Sequence, residues 1–173
     1  RDFVKYPRNK RKDLSILKRL KVDFVFLPNK KEIYNSERIV KIAKKDKILC
    51  AKYRKGHFEG VIDVMDRLTK MIMPKKIFMG EKDFQQFYLV NNHLKNKIKT
   101  KIILCKTIRD RHKLALSSRN LHLNDKDLNI ARIISKNLNN FKKKLDKKNE
   151  INKLISLKRK ELNNIENVKV EYL

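Results

Sequence analysis

Ile77-Phe78-Met79-Gly80-Glu81-Lys82-Asp83-Phe84-Gln85-Gln86 is the stretch on which the fold reading turns. A short apolar run meets a glycine, then three charged residues, then a segment from Phe84 to about Leu94 with helical character. That order predicts a strand–turn–helix junction. Working outward, Val61, Val64, Met65, Leu68 and Ile72 recur at steps of three and four between Phe58 and Met73. The spacing predicts an amphipathic helix, with Pro74 marking its end. On the other side, Ile102-Ile103-Leu104-Cys105 reads as a second buried strand. Nearer the start, Leu14, Leu17 and Leu20 suggest a short helix, and Val22-Asp23-Phe24-Val25-Phe26-Leu27, ended by Pro28, suits a buried parallel-type strand. Residues 29–56 read as irregular and polar, with a short strand near Ile48 to Ala51. Strands alternating with helices argue for an α/β fold with a parallel sheet.

After Asn120 the texture changes. Leu128, Ala131, Ile134, Leu138, Phe141 and Leu145 form a helical stripe, with Asn124 or Asp125 as its cap. A second helix is expected over Ile151 to Leu162, and Val168 to Leu173 looks like an incipient strand. The expected division is a partial nucleotide-binding α/β domain over 1–115 and part of a small α+β domain over 116–173. No internal repeat is visible.

Composition narrows the function classes. Lys+Arg total 46 and Asp+Glu 19 in 173 residues, so the formal charge is 46 − 19 = +27. No apolar run approaches the roughly 18 residues of a membrane span, so no membrane partner is expected. Cys50 and Cys105 are too few for a disulfide scaffold and lack zinc-site spacing. The chain opens on Arg1 without a secretory apolar region, so a cytoplasmic location is expected. The charge invites a nucleic-acid reading, because Lys and Arg neutralise phosphates. Against it, the bases are spread along the chain, and Lys, Asn and Ile are all abundant, as A/T-rich codons would make them. The densest cluster, Lys142–Lys144 with Lys147 and Lys148, holds no aromatic residue for base stacking. Compositional drift is therefore the favoured reading, and no nucleic-acid partner is expected.

Three segments can carry chemistry. At Gly80-Glu81-Lys82-Asp83, the glycine permits close backbone approach, Lys82 can hold a phosphate and Asp83 can accept bonds from ribose hydroxyls. Ligands of open α/β sheets bind at such carboxyl ends of strands. The plain alternative is an ordinary turn with Asp83 as a cap. Leu116-Ser117-Ser118-Arg119-Asn120 offers two hydroxyls and a guanidinium to phosphate oxygens, or merely a capping turn. Arg54-Lys55-Gly56-His57-Phe58-Glu59-Gly60 places two of the chain's three glycines around a histidine. His57 can bond a phosphate, act as an acid/base, or cap the next helix. His93, His112 and His122 are unclustered and read as surface residues.

Taken in order, Tyr6-Pro7-Arg8, Val22–Pro28, Glu32-Ile33-Tyr34, Leu49-Cys50, Arg54, Gly56-His57-Phe58, Gly60-Val61, Gly80–Gln86 and Leu114–Asn120 resemble the pantothenate synthetase family (pantoate–β-alanine ligases). The resemblance covers about residues 2 to 135 well and the rest loosely. It implies a Rossmann-like parallel sheet of nucleotidyltransferase type, ATP with Mg²⁺, and the substrates pantoate and β-alanine. The implied reaction forms pantoyl adenylate and pyrophosphate, then pantothenate and AMP. Residue by residue, it implies that Gly80 and Asp83 hold the ribose, with Glu81 beside them, and Lys82 the phosphates. Ile108 would meet the adenine through its backbone. Leu116, Ser117, Ser118 and Arg119 would form a second phosphate-binding stretch. Gln86 would bond pantoate beside an apolar wall of Val61, Val64 and Met65, and His57 and Arg54 would line the cleft. Lys82, Ser117, Ser118, Arg119 and His57 are the implied catalytic set; no residue is implied as a metal ligand.

The departures matter as much. The family's His-x-Gly-His-type and Asn-Pro-x-Gln-Phe segments do not occur, its Arg-Pro-Gly-His becomes Arg54-Lys55-Gly56-His57, and its Asp-Gly becomes His112-Lys113. Asp63 stands where a small or hydroxylic residue is common. These departures lead to the expectation that the chain lacks the family's N-terminal segment and the end of its C-terminal domain. Alone it would then be inactive, and the complete protein would be a homodimer. An inactive remnant of the same fold and a basic RNA-binding protein are the competing readings.

Overall fold

The computed structural model describes residues 9–145 and 150–173, without the side chain of Lys144. Tyr6-Pro7-Arg8 and the pair Lys147 and Lys148 lie outside the described residues. The chain divides into two compact units, residues 1–106 and 107–173.

The first unit begins with α1 (Lys10–Arg19), capped by Asn9, whose side chain accepts from the Lys12 amide at 3.0 Å. Its end is turned by Lys21 at φ +54°. Next comes α2 (Lys30–Ile33), closed by a capping box in which Asn29 and Glu32 each bind the other's backbone amide. A 3-10 turn (Lys44–Asp46) and α3 (Cys50–Tyr53) follow. The long α4 (His57–Ile72) leads to β1 (Lys76–Gly80), a 3-10 turn (Glu81–Asp83), α5 (Phe84–Leu94) and β2 (Lys101–Cys105). β1 and β2 pair in parallel, in register from Lys76 opposite Lys101 to Gly80 opposite Cys105. Thr100 Oγ1 donates to the Pro74 carbonyl at 2.6 Å and Lys101 N to that of Lys75 at 3.0 Å, fixing where the ladder starts.

The core of this unit is Ala51, Phe58, Ile62, Met79, Leu89, Val90 and Leu94. Helix α4 contributes Phe58 and Ile62, α5 contributes Leu89, Val90 and Leu94, and β1 contributes Met79. The predicted helix over residues 58–73, the helix over 84–94 and both strands of the pair are thus present. Phe78 faces away from that core and is exposed.

Two predicted strands of this unit are not. Val22 to Leu27 runs without strand assignment, and its apolar side chains are exposed. A strand exists only through ladder bonds to a neighbour, and among the described residues none pairs with this run. Ile48–Ala51 does not form a strand either: Leu49 turns the backbone at φ +49° and the chain enters α3.

The second unit opens with a tight turn. Arg109 bridges antiparallel to Ala115, and Asp110 Oδ1 accepts from the amides of His112 and Leu114, each at 2.9 Å. A 3-10 turn (Ser118–His122) precedes α6 (Asp125–Lys144) and α7 (Ile151–Asn163). Asn124, not Asp125, is the cap of α6, accepting from the Asp127 amide at 2.8 Å. Helices α6 and α7 meet through Asn137, which donates to Glu161 and accepts from Lys158, each at 2.9 Å. The predicted strand at Val168–Leu173 is absent. That segment is held on α7 instead: Arg159 donates to the Glu171 carbonyl at 2.9 Å, and Asn163 accepts from the Val170 amide at 2.8 Å. Among the described residues, no helix is long and apolar enough to cross a membrane.

Candidate functional site

Parallel strands end where helices begin, and the first unit has one such junction at the carboxyl end of β1. Gly80 there lies opposite Cys105, the last residue of β2. Its φ is −74°, and a Cβ on it would meet nothing within 4 Å, so this glycine is not needed by the protein's own backbone. The 3-10 turn Glu81–Asp83 then presents three exposed charged side chains. Lys82 Nζ lies 3.7 Å from Asp83 Oδ2, a loose exposed pair. Asp83 occupies the cap position of α5 but makes no side-chain bond to its amides, so the simple capping reading fails. The first turn of α5 thus has no side-chain cap from Asp83 and lies next to a lysine, an arrangement suited to an anion.

Gln86 lies on α5 one turn beyond Lys82, half-buried. Its neighbour Gln85 is structural: its Nε2 donates to the Ile48 carbonyl at 2.8 Å and so ties the segment before α3 to α5. Val61, Val64 and Met65 lie half-buried on α4, with Val61 and Met65 packed against the core. Arg54 is exposed at the end of α3. His57 is the first residue of α4, half-buried, its ring centroid 5.0 Å from that of Phe58. Gly56 caps that helix at φ +75°, a conformation that a side chain would strain, so here the scarce glycine is geometrically required. Gly60 carries no such demand.

The remaining predicted residues belong to the second unit. Ile108, Leu116, Ser118 and Arg119 are exposed, and Ser117 is half-buried. Ser117 caps the short 3-10 turn, accepting from the Arg119 amide at 3.2 Å, and Asn120 Nδ2 donates to the Ala115 carbonyl at 3.0 Å. The stretch is therefore a turn held by its own hydrogen bonds, with Ser118 and Arg119 exposed.

Sequence reasoning missed one polar constellation. Asp66 on α4 is buried to 1%, yet it is a carboxylate. Arg38 Nη1 donates to its Oδ2, and Lys70 Nζ stands 2.9 Å from the same oxygen. Burial pushes the Asp66 carboxyl up, but the hydrogen bonds from Lys70 and Arg38 outweigh it and hold it below the usual range. The Asp66 bond raises Arg38 in turn. Asp63, one turn earlier, binds both Arg38 and Arg67 at 2.9 Å. Arg67 also donates to the Ser36 carbonyl at 2.8 Å and lies over the Tyr34 ring at 5.2 Å. His93 is no free surface residue: its Nε2 is 3.6 Å from Asp66 Oδ1. Burial and the charge of Lys97 lower its pKa. The signal was present in the i,i+4 pairs Asp63–Arg67 and Asp66–Lys70.

Among the described residues, no group of three or more His, Cys, Asp and Glu side chains is placed to hold a metal ion. A family model described as pantoate-beta-alanine ligase matches residues 1–173. The pantothenate synthetase of Leptospira interrogans serogroup Icterohaemorrhagiae serovar Lai (strain 56601) is 40% identical over 141 residues, 79% of this chain and 50% of that protein. That of Endomicrobium trichonymphae is 35% identical over 163 residues, 88% of this chain and 58% of that protein. The chain spans about half the length of the curated relatives it matches. A crystal structure of pantothenate synthetase from Thermus thermophilus superposes with a TM-score of 0.90 at 25% identity, covering 100% of this chain and 64% of that one. The Francisella tularensis pantoate-beta-alanine ligase, crystallised with β,γ-ATP and β-alanine, gives 0.76 at 36% identity, covering 90% and 59%.

Proposed function

The chain belongs to the pantoate-beta-alanine ligase family, and on that premise we propose that it serves the ATP-dependent joining of pantoate to β-alanine. The observation that carries this reading is the junction after β1: Lys82 and Asp83 exposed beside an α5 whose first-turn amides have no side-chain cap. In the proposed reaction, a pantoate carboxylate oxygen attacks the α-phosphorus of ATP. The bond to the bridging oxygen breaks, and pyrophosphate leaves with the electron pair. The β-alanine amine then attacks the acyl carbon, loses a proton, and expels AMP.

Each chain residue has a proposed part. Lys82 neutralises phosphate charge that grows as pyrophosphate departs, aided by the α5 amides. Asp83 and the Gly80 backbone accept and donate bonds to the ribose hydroxyls, with Glu81 alongside. Ile108 offers backbone groups to the adenine. Leu116, Ser117, Ser118 and Arg119 supply amides, hydroxyls and a guanidinium to phosphate oxygens. Gln86 bonds pantoate, whose methyl groups suit Val61, Val64 and Met65. Arg54 and His57 complete the polar lining. Mg²⁺ keeps most of its ligands from water and phosphate, needing one or two protein carboxylates at most. It fits a site of this composition as an ion carried on the triphosphate, where it offsets phosphate charge. A cytoplasmic homodimer is the assembly proposed with this reading.

Equilibrium binding of ATP to the chain tests the proposal. Lys82→Ala is expected to weaken binding about tenfold or more, the scale of a lost charged phosphate contact. Unchanged binding removes Lys82 from the site. No ATP binding by the wild-type chain at millimolar concentration overturns the reading.

A further inference from the structure

One concavity of the second unit contains none of the residues assigned above. It lies between the Arg109–Ala115 turn and α6, with a volume of about 970 Å³. Arg109, Arg111 and Lys113 reach it from the turn, and Arg132, Lys136 and Lys143 from the helix. Seven of its twelve lining residues are Arg or Lys, and none is acidic or a Phe, Tyr or Trp. The chain as a whole has 46 such residues in 173, about half that density, so drift along the sequence does not account for the concentration.

The cations there are little neutralised. The neighbouring carboxylate, Asp110, spends Oδ1 on the amides of His112 and Leu114, and its Oδ2 lies 3.7 Å from Arg132 Nε. Arg132 Nε itself is buried without a hydrogen-bond acceptor. Among the described residues, no carboxylate pairs with Lys113, Lys136 or Lys143. Such crowding of like charge costs free energy that a bound anion would recover. The frame is also pre-set. Ser135 Oγ donates to the Lys113 carbonyl at 2.6 Å, joining turn to helix, and Arg109 Nη1 donates to the same oxygen at 3.0 Å. Lys113 holds φ +68°, a conformation unfavourable for a side chain, yet a cation and not a glycine stands there.

We propose that this concavity binds a chain of linked phosphates. Its volume is ample for such a ligand, and its cation count suits several negative charges. Its lack of Phe, Tyr and Trp disfavours single-stranded nucleic acid, which relies on stacking. The proposal is independent of the reading given for Lys82 and Ser117–Arg119.

Calorimetric titration of the whole chain with inorganic tripolyphosphate at about 0.1 M salt tests it. The triple variant Arg111→Gln/Lys136→Gln/Lys143→Gln changes exposed side chains and is expected to melt like wild type. It should bind tripolyphosphate about tenfold or more weakly. One control locates the effect: Lys44→Gln/Lys45→Gln/Lys47→Gln changes exposed lysines elsewhere and should change binding less than about twofold. Loss in that control with the triple variant unaffected, equal loss in both, or no binding by wild type each overturns the proposal. A single-stranded oligouridylate that binds more tightly than tripolyphosphate, and loses affinity in the triple variant, overturns the choice of ligand class.

Discussion

Two apolar runs of similar texture meet different ends in this molecule. Ile77, Phe78 and Met79 lie in β1, hydrogen-bonded to β2, and Met79 is 9% exposed. Val22 to Leu27 has more apolar residues in a row, yet Phe24 is 92% exposed and no ladder forms. The sequences differ little in β-propensity; the surroundings differ entirely. Apolar β-branched and aromatic residues fit a pleated, half-buried surface, but they do not create the surface they fit. Thr100, Pro74 and the α5 crossover supply it for one run. The same lesson recurs for charge: Asp66 is buried because neighbours bring cations to it, whereas Asp83 stays exposed at 62%.

The largest effect expected from this comparison comes from truncating one residue in each run. Met79→Ala should lower the unfolding free energy by about 3 kcal/mol, the usual scale for a buried methionine. Phe24→Ala should change it by less than about 0.5 kcal/mol. Urea unfolding of both variants reads the contrast directly. A Phe24→Ala loss similar to that of Met79→Ala would show that the run 22–27 is buried in solution and would break the comparison.

A smaller effect sharpens the charge side of the same contrast. Asp66→Ala removes a buried acceptor from Arg38 and Lys70 and should cost about 2 kcal/mol. Asp83→Ala should cost almost nothing in stability. Because Asp66 and Arg38 act together, the double variant Asp66→Ala/Arg38→Ala should cost less than the sum of the two single losses, Arg38 keeping only its bonds to Asp63 once Asp66 is gone. Additive losses in that double-mutant cycle would refute the coupling.

Legibility in the sequence followed the range of the interactions. Helices with an apolar stripe of their own, α4, α5 and α6, were readable because periodicity and caps are local. So was the junction Gly80–Asp83, since a strand, a glycine and a helix adjoin in sequence. The family itself was legible from the order of short motifs, and the family-model match bears it out. What failed was whatever needed a partner distant in sequence: the run 22–27, the segment 168–173 that α7 holds, and His93, whose place against Asp66 lies across two helices. The Asp63–Arg67 and Asp66–Lys70 pairs were visible as spacing, but nothing local marked that face as the buried one.

Lys113 offers a finer test of neighbours against residue type. Its φ of +68° is held by Asp110 and by the Ser135 bond to its carbonyl, not by its own preference. Lys113→Gly should stabilise the chain by about 1 kcal/mol, since glycine adopts φ > 0 without the side-chain penalty. That corresponds to a rise of about 3 °C in melting temperature for a chain of this size. A fall in melting temperature would mean that the lysine side chain contributes more than its backbone costs.

The smallest expected effect is a slope. His93 has its pKa lowered by burial first and by the Lys97 charge second, with Asp66 opposing. Its Nε2 lies 3.0 Å from Lys97 Nζ, an arrangement that needs the neutral ring as acceptor. As pH falls below about 6.5, the unfolded state takes up a proton that the folded state still refuses. The unfolded state then binds more protons, so stability declines with acid from that point down to the folded pKa. His93→Gln keeps a polar side chain but cannot titrate, and should flatten the stability profile there. A second decline should begin near pH 4, where carboxylates of the unfolded chain protonate while Asp66, held lower by Lys70 and Arg38, does not. That arm should survive His93→Gln and shrink in Asp66→Ala. Denaturant midpoints of the wild type and both variants, read from pH 7 down to 3, separate the two arms. If His93→Gln left the upper arm unchanged, the decline there would belong to other groups and His93 would titrate as an ordinary surface histidine.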